Sequence, residues 1–153
     1  MLDIAKVYLL VQRHSYHKVL QICDYILQIR LAKLPENHID VARVYVLKGK
    51  CFVGIGNTDD AHKCFTDAYD MATQCRKNHD DPCVNENLII CAELYTEWST
   101  LCLMKCQFDV ARSFIEKALT IYQTNLQMDD DYDGIIAAQH IFHRIEHDEM
   151  LCV

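Results

Sequence analysis

The chain has 153 residues, 51% of them hydrophobic, and 15 Lys and Arg against 22 Asp and Glu give it a net charge of −7. So apolar a chain is not a disordered one, and its length suits one domain that buries about two-thirds of its unfolded surface. With only 4 Gly and 2 Pro it lacks the turns that an all-β sandwich or barrel needs about every 8–12 residues, and its acidity argues against nucleic acid as a partner.

The helical periods follow in chain order. Residues 2–12 form a first amphipathic segment, and Val19, Ile22, Cys23, Ile26 and Leu27 mark a second. Residues 39–53 make a third. Ala61, Cys64, Phe65, Ala68, Met71, Ala72 and Cys75 recur at three- and four-residue steps, one continuous apolar stripe along a fourth helix. Residues 85–105 form a fifth, and Ala111, Phe114, Ile115, Ala118, Ile121 and Tyr122 repeat the stripe in a sixth. A closing helix is expected at about 134–147. Gly54, Ile55, Gly56 and Asn57 separate two of these helices, with Thr58 expected as N-cap and Asp59 and Asp60 in the first turn. Pro35 and Pro82 fall in linkers, where neither breaks a helix. The expected organisation is a single domain, 1–153, of hairpins at about 2–32, 39–76 and 85–127 plus the closing helix.

Two of these hairpins share a pattern. Tyr45, Lys48, Gly49 and Phe52, then Ala61, Phe65 and Ala68, return fifty residues later as Tyr95, Trp98, Ser99 and Cys102, then Ala111, Ile115 and Ala118. The pattern resembles the tetratricopeptide repeat. His38, Ile39, Asp40, Val41 and Ala42 further resemble the start of a unit in the long repeats of kinesin light chains, with Ile39 in place of Pro. Four more positions depart from the repeat: Lys48 in place of a large apolar residue, Ser99 in place of Gly, Cys102 in place of an aromatic and Val19 in place of Ala. The resemblance implies an all-α, right-handed solenoid of three hairpins plus a C-terminal helix. In it Gly49 lets two helices approach closely and Phe65 plugs the space between neighbouring hairpins.

Such solenoids bind partners on a concave surface lined by the first helix of each hairpin. The positions expected there are Tyr8 in the first hairpin, with Ile4 and Val11 beside it, and Arg43, Val46, Lys50 and Val53 in the second. In the third they are Glu93, Thr96, Thr100, Leu103 and Met104. Val46 and Leu103 would be aliphatic anchors. Arg43 and Lys50 supply two cations seven residues apart, but Glu93 and Thr100 stand where a carboxylate clamp would place more cations or Asn, so that clamp is not expected.

Other constellations are weaker. Asp129, Asp130, Asp131 and Asp133, with Gly134 and Ile136, resemble the first part of an EF-hand loop, but His140 takes the place of the bidentate Glu. These carboxylates read as charges at the start of the closing helix. His140, His143 and His147 share one helix face. Zinc with Cys152 as a fourth ligand is one reading of that row and a solvated or partner-facing surface the other. Cys102 with Cys106, and Cys75, His79 and Cys83, lack paired C-x2-C spacing. No phosphate-cradling Gly loop, G-x-S-x-G elbow or H-E-x-x-H helix occurs.

The 9 Cys fall below the proportion of about 8–10% that marks a disulfide scaffold. Most lie on apolar stripes, where a free thiol packs as a small hydrophobe. A reducing, cytoplasmic setting is therefore expected, with no membrane association, since no apolar run nears the roughly 18 residues of a span and the N-terminus lacks a basic leader and cleavage site. The expected function is that of an adaptor or scaffold binding a peptide or helix of a protein partner, without catalytic activity, metal or cofactor. Beside it stand a subunit that assembles through its ends or convex face, including with its own copy, and a metal-regulated binding module. The apolar residues Met150, Leu151, Cys152 and Val153 suggest a piece of a longer array or a small protein whose ends are covered.

Overall fold

The computed structural model describes residues 15–35, 38–75 and 84–152. Among them are six α-helices in sequential antiparallel pairs and no sheet. The chain divides into two compact units, Met1–Lys77 and Asn78–Val153. Helix 2–12, the linker constellation of His79 and Cys83 and the expected groove residues Ile4, Tyr8 and Val11 lie outside the described residues.

The first unit contains α1 (Tyr16–Leu31), α2 (Ile39–Ile55) and α3 (Thr58–Cys75). Val19, Cys23 and Leu27 recur at four-residue steps on α1 and meet Val41, Val44, Leu47 and Cys51 of α2 in one core cluster. Lys48 is at the edge of this contact, where its Nζ reaches Asp24 Oδ1 of α1 at 2.7 Å. The Lys48 cation is thus paired with a carboxylate on the preceding helix. At the end of α2, Gly54 leaves room for the Tyr16 ring, whose nearest atom would lie 2.3 Å from a Cβ there.

The α2–α3 pair is closer still. A Cβ on Gly49 would meet the Phe65 ring at 2.3 Å, so Phe65 packs inside its own helical pair, and both residues are buried. Ala61, Ala68 and Ala72 complete a fully buried stripe of small residues along α3. The turn between these helices is narrower than expected, because Gly54 and Ile55 are still helical. Gly56 alone takes the left-handed conformation, with φ 87°. Thr58 is the first helical residue rather than the cap: the side chain of Asn57 accepts from the Asp60 amide at 3.2 Å and donates to the Asp60 carboxylate at 2.7 Å. His38 caps α2 by accepting from the Asp40 amide at 3.2 Å.

The second unit contains α4 (Val84–Met104), α5 (Phe108–Thr120), a π-helical turn (Ile121–Asn125) and α6 (Asp133–Leu151). Here Ser99 holds the position of Gly49, and its hydroxyl donates to the Ala111 carbonyl of α5 at 2.8 Å. Ile115, fifty residues after the bulkier Phe65, is likewise fully buried on α5. The α4–α5 turn contains no Gly, and Cys106 enters the left-handed region with φ 56°.

Two clusters attach α6. Leu103, Ala111, Ile115, Ala138 and Ile145 form one, and Ala92, Ala118, Tyr122 and Ile135 the other. The helix runs one turn past its expected end at 147 because Glu149 pairs with Arg112 of α5, whose guanidinium lies 5.6 Å from the centre of the Phe142 ring. Gly134 is helical and serves as a seat for an aromatic pair: a Cβ there would lie 2.6 Å from Tyr132 and 2.8 Å from Tyr122.

Candidate functional site

The surface with most chemical character in the second unit lies along α4 and α5. Tyr95 and Trp98 are three residues apart on α4, and Phe114 and Lys117 three apart on α5, so each pair shares one helix face. Packing the two helices brings three rings together. Their centroids are 5.9 Å apart for Tyr95–Trp98, 6.0 Å for Tyr95–Phe114 and 5.8 Å for Trp98–Phe114, with Tyr95 and Phe114 stacked at 23°. The Lys117 ammonium stands 5.8 Å from the Tyr95 centroid and 5.6 Å from that of Phe114, within cation–π range of both. Beside the rings is an open cavity of about 390 Å³ lined by Tyr95, Ser113, Glu116, Lys117, Thr120 and Ile121.

The end of α5 shapes this cavity. Thr120 turns its hydroxyl back to the Glu116 carbonyl at 2.8 Å. From Ile121 the chain widens into a π turn, closed by the Leu126 amide on the Ile121 carbonyl at 3.0 Å. That turn leaves Ile121 on the cavity wall while Tyr122 is buried against Tyr132, with ring centroids 5.4 Å apart. Burial first, and then the negative charge of Glu93, holds the Tyr122 hydroxyl well above its ordinary range. It therefore stays neutral and acts as a packing group.

The expected groove residues have varied places. Val46, Thr96 and Leu103 are buried, and Leu103 belongs to the cluster that holds α6, so neither expected aliphatic anchor is presented to solvent. Their spacing on a first helix was shared by packing and groove positions, and packing took them. Arg43 is exposed, but its guanidinium bonds Asp40 Oδ1 at 3.1 Å, and Asp40 also accepts Arg30 on its carbonyl oxygen at 2.7 Å. Lys50, Val53 and Glu93 are half-buried. Thr100 is half-buried too, its hydroxyl returned to the Thr96 carbonyl at 3.1 Å, whereas Met104 is exposed. None of the cavity residues is expected as a site from sequence, where Tyr95 and Ile121 stand only as packing positions. The signal available in sequence was the pair of i,i+3 steps, aromatic to aromatic and aromatic to Lys.

Asp129, Asp130, Asp131 and Asp133 are exposed, and Gly134 makes no sharp turn of the EF-hand kind. His140, His143 and His147 are exposed on α6. Among the described residues no group of three or more His, Cys, Asp or Glu is arranged to hold a metal ion, and no helix is long and apolar enough to cross a membrane. Compared with known proteins, the chain matches no family model and no curated relative.

Proposed function

We propose that this chain is a tetratricopeptide-like protein of the solenoid class that acts as an interaction adaptor, taking a peptide or helix of a protein partner. The observation that carries the reading is the α4–α5 cavity. Tyr95 and Ile121 give it an apolar wall, with Trp98 and Phe114 packed behind Tyr95, Lys117 and Glu116 give it a charged rim, and its size suits one or two anchoring side chains. The repeat itself is supported by what recurs at the fifty-residue offset: the Gly56 and Cys106 amides each reach the carbonyl three residues back at 3.0 Å, and the Asn57 and Gln107 amides each reach the carbonyl five back at 2.9 Å. The partner segment is one with an apolar or aromatic anchor flanked by charge, the complement of that wall and rim.

Peptides selected on the purified chain from a display library test this. Thr120→Arg fills the cavity from an exposed position and should weaken a selected peptide by about 10-fold or more, about 1.4 kcal/mol, without changing the thermal midpoint. Equal binding by the variant would remove the site.

A second reading, assembly through α6, is favoured by Ile136, Met150 and Leu151, which are 50%, 72% and 73% exposed on that helix.

A further inference from the structure

The outer face of α6 carries Ile136, His140, His143, His147 and Met150, at steps of four, three, four and three residues. All five are exposed. His143 and His147 are one turn apart, so their Cβ atoms are about 5–6 Å apart and both rings can meet one ion. Each ring already has a carboxylate at the same nitrogen. His143 Nδ1 lies 3.5 Å from Glu146 Oε2, and His147 Nδ1 lies 3.3 Å from Asp148 Oδ1. Asp148 is in turn paired with Arg144 at 4.0 Å.

In the neutral tautomer whose Nδ1–H faces its carboxylate, the lone pair is on Nε2. This is the outer-sphere arrangement that orients zinc-binding histidines. His140 cannot join the same pair on one ion, since seven residues of helix separate it from His147 by about 10 Å along the axis. One chain therefore offers two imidazoles one turn apart, and a closed tetrahedral zinc site takes four ligands.

We propose that His143 and His147 are half of a zinc site completed by the same two residues of a second copy, so that one zinc ion joins two chains α6 to α6. A two-fold contact of this kind uses one patch twice, and it would cover the exposed Ile136 and Met150 that flank the histidines. No bond is made or broken beyond coordination: four neutral Nε2 lone pairs bind Zn²⁺, and each Nδ1–H remains on its carboxylate. The site does not depend on the α4–α5 cavity.

Light scattering of the full chain at tens of micromolar, with zinc chloride and then with EDTA, tests the proposal. The mass should double at one zinc per two chains and return to its starting value with chelator. The double variant His143→Ala/His147→Ala should keep the single-chain mass at the same zinc concentration, while His140→Ala should still double. Because both histidines are exposed, with side chains 78% and 68% accessible, their loss leaves the core untouched. Glu146→Gln with Asp148→Asn should raise the zinc needed by about 10-fold or more. A mass that does not depend on zinc overturns the proposal, as does zinc-dependent doubling that survives in the double His variant.

Discussion

Gly56 and Cys106, fifty residues apart, take the same left-handed conformation and make the same hydrogen bond, their amides 3.0 Å from the carbonyls of Val53 and Leu103. For Gly this conformation is free of steric cost, whereas Cys pays about 1–2 kcal/mol for its Cβ. Cys106→Gly should therefore raise stability by about 1 kcal/mol, and Gly56→Ala should lower it by a similar amount. Urea unfolding of both variants measures the two shifts; a destabilised Cys106→Gly would contradict the equivalence.

A mutant cycle probes the α2–α3 contact. Gly49→Ala sets a Cβ 2.3 Å from a ring that is fully buried. The expected loss is about 1–3 kcal/mol, even though Ala is the better helix former. Gly49→Ser/Phe65→Ile copies the residues found fifty positions on, Ser99 and Ile115, and should recover most of that loss. Additive effects of the two substitutions would show that the residues do not compete for one space.

Ser99 is fully buried, and its hydroxyl has a defined partner in the Ala111 carbonyl. Removing it in Ser99→Ala should cost about 1 kcal/mol in chemical denaturation. An unchanged midpoint would mean that the bond adds nothing beyond volume.

The buried thiols give an alkaline prediction. Burial pushes Cys51 and Cys64 up from an ordinary 9.0 to about 11, and burial with the neighbouring Cys51 and Asp24 pushes Cys23 to about 12. The folded chain keeps these thiols neutral while the unfolded chain ionises them from about pH 9. Their stabilising share is therefore complete below pH 9 and is lost as pH rises towards 11–12. The urea midpoint should fall between pH 9 and 11. At neutral pH iodoacetamide should modify the exposed Cys106 and Cys152 before Cys23, Cys51 or Cys64; equal modification of all five would contradict the burial.

Helical class and helix positions were legible because they rest on periodicity. The stripe from Ala61 to Ala72 and the scarcity of Gly both point to paired helices, and five expected helices begin within a few residues of where they are observed. Detail that depends on a partner helix was less legible. Lys48 looked like a defect of the pattern until Asp24 on α1 accounted for it, and the end of α6 was set by Arg112, far away in sequence. The site suffered most. Val46, Thr96 and Leu103 lie at spacings that serve groove and core alike, and only packing decides between them. The α4–α5 cavity needs Tyr95 and Lys117 to meet across two helices, and the spacing within one helix does not specify such a meeting.

The most direct test of the adaptor reading is amide chemical-shift mapping of a display-selected peptide on the isotope-labelled chain. The account predicts saturable shifts that are largest at Tyr95, Ser113, Lys117 and Thr120 and absent in Thr120→Arg. Saturable shifts that leave those four residues unmoved, or a library that yields no binding peptide, would contradict it.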